Sequence, residues 1–226
     1  MILRDLLPDS ISVRVQGNLE VEIAQLAYDS RSVRPGALFF ALPGVKTDGA
    51  RFLDHACANG AAAVVAPAAV MQSWRESRSQ TLLPTAISCD SPRLLLGVMA
   101  DRFYRKPSRQ LTLVGVTGTS GKTTTTYLLE SIWRAQGWSS GVIGTVNYRY
   151  NGKEFPAPFT TPEAVELQAL FADMTLAGVS HVVMEVSSHA LVQERVHGCR
   201  WDGALFTNLG RDHLDSGSVA SPNRET

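Results

Sequence analysis

Apolar residues along this chain fall into two alternating kinds of run. Residues 37–42, 62–66, 85–89, 111–114, 140–145, 181–186 and 204–209 are short and rich in Val, Ile, Leu and Ala, as strands buried on both faces require. Between them the apolar positions recur at helical spacing. Ser91-Pro92 opens one such helix, with Leu95, Val98, Met99 and Phe103 as its buried stripe and Pro at the first turn, where its missing N–H costs nothing. Behind position 121, Leu128, Leu129, Ile132, Trp133 and Ala135 predict a second, stopped by Gly137. Thr160 with Glu163 fits a capping box for a third, with Leu167, Leu170, Phe171, Met174 and Ala177 inward and Gly178 closing it. A shorter helix turns Phe52, Leu53, Ala56 and Cys57 inward and ends at Gly60. Asn151-Gly152 predicts a hairpin turn, and the polar stretch 72–80 reads as a loop.

Strands alternating with helices predict an α/β fold, a mostly parallel sheet with helices on its faces. The polar, proline-containing segment Arg105-Lys106-Pro107-Ser108 just before a strand is where a domain boundary is expected. That divides the chain into an N-terminal α/β domain, 1–107, and a second α/β domain, 108–215. The polar segment 216–226 is expected to be a disordered tail.

Composition narrows the partners. Of the 226 residues 44% are hydrophobic, enough for sizeable cores, and 21 basic residues balance 21 acidic ones with no basic block, which argues against nucleic acid as a partner. Cys57, Cys89 and Cys199 stand far apart with no CxxC pair, and read as idle thiols of a reducing compartment rather than metal ligands or disulfides. The first residues show no basic head with an apolar core, and the longest apolar run, 61–71, is broken by Pro67 and too short to cross a bilayer. A cytoplasmic monomer with no membrane insertion is the expectation.

The candidate chemistry centres on Gly115-Val116-Thr117-Gly118-Thr119-Ser120-Gly121-Lys122-Thr123, between a predicted strand and a predicted helix. Small residues there let backbone N–H groups close around a phosphate, while the helix N-terminus aims unpaired donors and its positive dipole end at the same place. Lys122 adds a charge for the outer phosphates, and Thr123 a hydroxyl for Mg²⁺. The common pattern would have Gly where this chain has Val116, so the loop reads Gly118-x-x-Gly121-Lys122-Thr123-Thr124.

Ligands of such sheets lie at the carboxyl ends of the strands, where Glu185 falls as a candidate second anchor for Mg²⁺ or as a stray carboxylate. Ser187-Ser188-His189, then Gln193 and Arg195, supply donors for carboxylate, phosphate or amide groups. As a Ser–His nucleophile that cluster is weak, since no Gly-x-Ser-x-Gly elbow precedes it. His213, flanked by Asp212 and Asp215, is either a metal ligand or a surface group. The Gly-, Asp- and Ser-rich turns of 29–49 carry ligand contacts or are only turns.

Taken together, Gly118-Thr-Ser-Gly-Lys-Thr-Thr124, Thr160-Thr161-Pro162, Glu185-Val-Ser-Ser-His-Ala-Leu191 with Gln193 and Arg195, and Thr207-Asn-Leu-Gly-Arg-Asp-His-Leu-Asp215 resemble the Mur ligases. Asp29-Ser-Arg31, Pro35-Gly36 and Asp48-Gly49 fit as well. The Glu-Val-Ser-Ser-His-Ala-Leu block looks like the branch of that family that adds the third amino acid of the peptidoglycan peptide. The resemblance implies an ATP-dependent ligase joining diaminopimelate or lysine to UDP-N-acetylmuramoyl-L-alanyl-D-glutamate through an acyl phosphate. It implies that Gly118, Thr119, Ser120, Gly121, Lys122, Thr123 and Thr124 hold ATP, that Thr123 and Glu185 hold Mg²⁺, and that His213 helps hold a second. Ser30 with Val45, Lys46 and Thr47 would contact the uridine nucleotide. Thr160, Thr161, Ser187, Gln193 and Arg195 would contact the muramoyl-dipeptide.

The family pattern continues past the His-Leu-Asp block into a helix bearing a carbamylated lysine and then into a third domain. Here Asp215 is followed by Ser216-Gly-Ser-Val-Ala-Ser-Pro-Asn-Arg-Glu-Thr226, which departs from it. The resemblance therefore implies an ATPase domain that is incomplete, and a chain that binds its substrates without completing the reaction is the alternative expectation.

Overall fold

The computed structural model describes residues 1–44, 48–78 and 83–210. The segment 45–47, His213 and the tail lie outside the described residues. In chain order the first elements are α1 (Leu3–Leu6), β1 (Arg14–Gln16), β2 (Gln25–Ala27), β3 (Ala37–Phe40), α2 (Leu53–Ala58), β4 (Ala61–Ala66), α3 (Ala68–Glu76), β5 (Thr85–Ser88) and α4 (Pro92–Phe103). A 3₁₀ turn, Pro107–Gln110, leads into β6 (Thr112–Thr117) and α5 (Lys122–Ala135). There follow β7 (Ser140–Ile143), β8 (Asn147–Tyr150), β9 (Lys153–Pro156), α6 (Ala164–Leu176), β10 (His181–Glu185), α7 (Ser188–Val192) and β11 (Gly203–Phe206).

Two sheets result, ordered β1-β5-β4-β3-β2 and β11-β6-β10-β7-β8-β9. Strands β2 to β5 are parallel with β1 antiparallel at the edge, and β11, β6, β10 and β7 are parallel with the β8–β9 hairpin antiparallel beyond them. The α/β class expected from the alternation is the one observed. Asn151 and Gly152 take φ of 50° and 72° at the hairpin tip, as the tight turn demands.

Period-two alternation splits each sheet's side chains between two cores. In the first sheet Leu38, Phe40, Val65 and Ile87 face α1 and α4, while Ala37, Phe39, Val64 and Ala66 face α2 and α3. In the second, Leu113, Val182 and Met184 face α6 through Leu167, Phe171 and Met174. Val116, Val142 and Val183 lie on the other face, under Trp133 of α5.

Four local expectations are corrected. The polar stretch after residue 71 is helical in α3, because Met71 and Trp74, three residues apart, anchor it on the sheet and the Trp74 indole donates to Asp54 at 2.9 Å. On α5 it is Thr126, Leu129 and Trp133 that face the sheet, leaving Leu128 and Ile132 exposed. The buried Thr126 hydroxyl is satisfied by the Thr123 carbonyl at 2.8 Å. The capping box is not formed: α6 starts at Ala164, and Glu163 at its N-cap makes no side-chain cap bond. Phe52, expected inward, is exposed.

Helices α4 and α6 pack against each other, so that Ala164 and Val165 join the core of the first sheet. Asp101 of α4 is buried in this region, and its Oδ1 and Oε1 of Gln168 are buried without a hydrogen-bond partner among the described residues. The Gln168 amide instead donates to Cys199 Sγ at 3.5 Å. The three cysteines are free, burial pushing the thiols of Cys57 and Cys89 up to about 11 and that of Cys199 higher. No helix among the described residues is long and apolar enough to cross a membrane.

Burial raises the Asp101 carboxyl above its ordinary value, against the pull of Arg109, Lys106 and Arg102. The folded chain thus holds this proton more tightly than the unfolded chain, so the stability it contributes is full below about pH 4, the unfolded value, and falls as pH rises through the folded one. Asp101→Asn escapes that loss, and its melting temperature relative to wild type should climb between pH 4 and pH 7. A gap that is constant across thermal melts at several pH values would rule out the titration.

Candidate active site at the strand ends

Parallel pairing brings the carboxyl ends of β6, β7, β10 and β11 to one rim, with Glu185 in register with Val116 and Phe206 with Thr117. The loop after β6 lies along this rim. Gly118 has φ of 129° and sits so close to Thr207 and Asn208 that a Cβ would collide with the Thr207 hydroxyl. Those two residues, just past β11, hold the loop: Thr119 N–H donates to Asn208 O at 3.0 Å and Ser120 N–H to Asn208 Oδ1 at 3.1 Å. Thr207 Oγ1 donates to Ser120 O at 2.7 Å. Gly121, in the left-handed region at φ 85°, is the N-cap of α5 with no side-chain cap. The N–H groups of Gly121, Lys122, Thr123 and Thr124 find no acceptor among the described residues. Lys122 Nζ folds back over the loop onto Gly118 O at 2.6 Å and Thr119 O at 3.0 Å. Free donors and an ammonium therefore converge at the end of a 14-residue helix, the arrangement that receives an anion.

Glu185 closes β10 and is 1% exposed. Its Oε1 accepts from Thr123 Oγ1 at 2.9 Å and Thr145 N–H at 3.1 Å, and its Oε2 from Thr145 Oγ1 at 3.0 Å. No Lys, Arg or His among the described residues comes within ion-pair distance of it. Gly144 makes the approach possible, since a Cβ there would strike the Glu185 carboxylate.

The loop ahead of α6 continues the network. Thr160 Oγ1 lies 3.1 Å from Thr145 Oγ1, and Thr161, buried, donates to Glu185 O at 2.9 Å and accepts from Ser187 N–H at 3.1 Å. Ser187 caps α7 by accepting from Ala190 N–H at 3.1 Å, while His189 points to solvent. Arg195 gives Nη1 to Thr161 O at 2.9 Å, and both Nε and Nη2 to Gln193 Oε1 at 3.0 and 2.6 Å. It also pairs with Glu163 Oε1 at 2.8 Å, and Arg93 of α4 reaches Oε2 of the same carboxylate at 3.6 Å. Burial pushes the Glu163 carboxyl up, and the two guanidiniums pull it down.

A cleft of ≈ 550 Å³ adjoins this point, lined by Tyr28, Asp29, Ser30, Phe52, Arg93 and Glu163 among others. Ser30 is buried at its edge, its hydroxyl 2.9 Å from His55 Nδ1 and its carbonyl accepting from Asn59 at 2.9 Å. Tyr28 donates to Glu166 at 2.8 Å, and burial and that carboxylate together raise its phenol. A second cleft, ≈ 570 Å³, lies at the amino ends of the strands between α5 and the β8–β9 hairpin, lined by Tyr127, Arg134 and Trp138, none of them a cradle residue.

The structure thus brings Lys122, Thr123, Glu185, Thr160, Thr161, Ser187, Gln193 and Arg195 onto one rim, with Ser30 at a neighbouring cleft. Sequence reasoning missed Thr145, Gly144 and Arg93 altogether, and read Glu163 only as a cap. A Gly-Thr pair at a strand end was the available signal for the first two, and Arg93 had none.

A glycine cradle at the rim of a parallel sheet, with a buried carboxylate one hydrogen bond from its helix, is the architecture of a P-loop fold. The chain belongs to the Mur ligase family: residues 116–219 match the Mur ligase middle domain and residues 22–104 the Mur ligase family catalytic domain. It is similar to the UDP-N-acetylmuramoyl-L-alanyl-D-glutamate--2,6-diaminopimelate ligase of Geobacter sulfurreducens, 48% identical over 218 residues, covering 95% of this chain and 41% of that protein. The enzyme of the same name from Geobacillus kaustophilus is 47% identical over 194 residues, 86% of this chain and 38% of the relative. A solved structure of such a ligase aligns with a TM-score of 0.74 at 27% identity over 97% of this chain and 42% of its own. MurF ligase from Thermotoga maritima in complex with ADP aligns at 0.54 and 25% identity, over 86% and 39%. The chain spans about two-fifths of the length of the curated relatives it matches.

Gly144→Ala should overpack this rim and displace the Glu185 carboxylate from Thr123 and Thr145, at a cost of about 1–3 kcal/mol. The check is a lowered melting temperature together with shifted amide resonances at Thr145 and Thr123 but not at the distant hairpin. An unshifted Thr145 amide would show that the approach is looser than described.

Proposed function

We propose that this chain carries the ATP-binding and UDP-substrate-binding parts of a ligase that joins an amino acid, diaminopimelate, to UDP-N-acetylmuramoyl-L-alanyl-D-glutamate in the cytoplasm. Residues 1–107 would form the domain that takes the uridine end, and 108–215 the domain that takes ATP. The observation carrying this reading is Glu185, a buried carboxylate with no cation partner among the described residues, hydrogen-bonded to Thr123 in the first turn of the cradle helix. A buried charge held only by neutral donors is expensive, and one beside a phosphate cradle is matched by a cation delivered with the nucleotide.

Mg²⁺ fits that donor set: a carboxylate and a hydroxyl, with no group of three or more His, Cys, Asp or Glu among the described residues built to enclose a metal by itself. Bound there, it would neutralise charge on the phosphates. The residues of the chain do the rest. Lys122 would exchange its two loop carbonyls for the outer phosphates, and the free amides of 121–124 would orient them. The γ-phosphoryl group passes to the substrate carboxylate, releasing ADP. The amine of the incoming amino acid then attacks the acyl phosphate, a C–N bond forms as the C–O bond to phosphate breaks, and the amine loses a proton. No protein nucleophile is needed, in keeping with Ser187 and His189 being unpaired with each other. Thr160, Thr161, Ser187, Gln193 and Arg195 are placed to orient the dipeptide end, and Ser30 the uridine end.

Lys122→Ala removes a charged donor worth about 1.5–3 kcal/mol, and should weaken a non-hydrolysable ATP analogue roughly 10- to 100-fold in calorimetry. Unchanged affinity would refute the cradle assignment. Mg²⁺ should tighten binding of the same analogue in the wild-type chain and cease to do so in Glu185→Gln. A Mg²⁺ effect that survives the substitution would remove Glu185 from the metal site.

A further inference from the structure

We propose that Glu163 is a positioning residue for the dipeptide subsite, fixing the Arg195 guanidinium so that its remaining N–H groups face the substrate. The proposal rests on the functional reading above, in which Arg195 meets the muramoyl-dipeptide. An arginine on a short loop has several accessible rotamers, and holding one of them for a ligand requires contacts that are already made in the free protein. Here those contacts are nearly complete. The guanidinium has five N–H groups. Nε–H is taken by Gln193 at 3.0 Å, with the Glu163 carboxylate ion-paired beside the same nitrogen at 2.8 Å, one N–H of Nη1 by Thr161 O at 2.9 Å, and one of Nη2 by Gln193 at 2.6 Å. Two N–H groups are left, one on each terminal nitrogen, free to meet a carboxylate. The ring of Phe159 lies 5.6 Å from the guanidinium carbon.

Glu163 differs from the other two holders in where it leads. Gln193 belongs to the same stretch of chain as Arg195, and Thr161 is tied to Glu185. Glu163 also reaches Arg93 of α4, and both Glu163 and Arg93 line the cleft that contains Tyr28 and the edge of Ser30. The carboxylate sits between two guanidiniums, one belonging to the first sheet's helix and one to the second sheet's rim. It therefore sets the position of Arg195 relative to the cleft expected to take the uridine end, the distance that a ligand spanning both must match. Because Glu163 makes no cap bond to α6, its side chain has no local task that would account for the same placement.

The test uses the whole chain and two ligands, UDP-N-acetylmuramoyl-L-alanyl-D-glutamate and UDP-N-acetylmuramoyl-L-alanine, which lacks the D-glutamate and its two carboxylates and ends one residue earlier in the alanine carboxylate. Calorimetry should show the wild-type chain preferring the longer ligand. Arg195→Ala should lose that preference, Glu163→Gln should lose at least about tenfold of it, and the double variant should match Arg195→Ala. If Glu163→Gln does not fold, judged by its thermal melt, Glu163→Asp carries the same comparison, with an intermediate loss of preference expected. Equal weakening of both ligands, losses that add in the double variant, or a wild-type chain indifferent to the D-glutamate would each overturn the proposal. A wild-type chain that binds neither ligand would overturn the functional reading, and the proposal with it.

Discussion

The hydrogen bond from Thr123 to Glu185 ties the first turn of a helix to the end of a central strand, and much of the rim depends on that short link. A carboxylate this deeply buried must be surrounded by donors, and the donors must come from somewhere. Thr145 supplies two from the turn that follows the neighbouring strand β7, which is possible only because Gly144 offers no side chain to the space. Thr160 then leans on Thr145, and Thr161 bonds the backbone of Glu185 itself, so the loop ahead of α6 is drawn into the same site. Arg195 and Glu163 extend the chain of contacts to α4 of the first sheet. A network with a carboxylate at its centre is demanding, because leaving any member unpaired in so dry a place costs more than the bond itself returns.

The two sheets meet through a different kind of contact. Ala164 and Val165, at the start of α6, complete an apolar core otherwise built from the first sheet, and Tyr28 bonds Glu166 one residue further on. The same few residues of α6 therefore end the rim network and anchor the packing between sheets. That gives a physical route by which a ligand spanning both would be held at a defined length, since the elements bearing its two ends share a core rather than a hinge.

The periodic features of the chain were legible from residue order. The parallel strands, the hairpin at Asn151-Gly152, the helix opened by Ser91-Pro92 and the cradle between β6 and α5 all follow from short-range rules of spacing and backbone conformation. The errors were of one kind. Leu128 and Ile132 make as good a helical stripe as Leu129 and Trp133, and only the sheet underneath decides which is buried. Glu163 stands at the right spacing for a capping box, yet two guanidiniums from elsewhere outbid the helix end for its carboxylate. Trp74 and Met71 are too sparse to announce a helix, but a flat apolar surface needs no more than two anchors to hold one.

What residue order determined by itself, then, was the inventory: the alternation of elements, the loop able to receive a phosphate, and a carboxylate at a strand end, because each depends on neighbours within a few positions. What only the tertiary structure decided was company. Glu185 is joined by Thr145, and Glu163 by Arg93, across 40 and 70 residues of chain. Those pairings arise from strand order and from the packing of α4 on α6, and nothing local in the sequence specifies either.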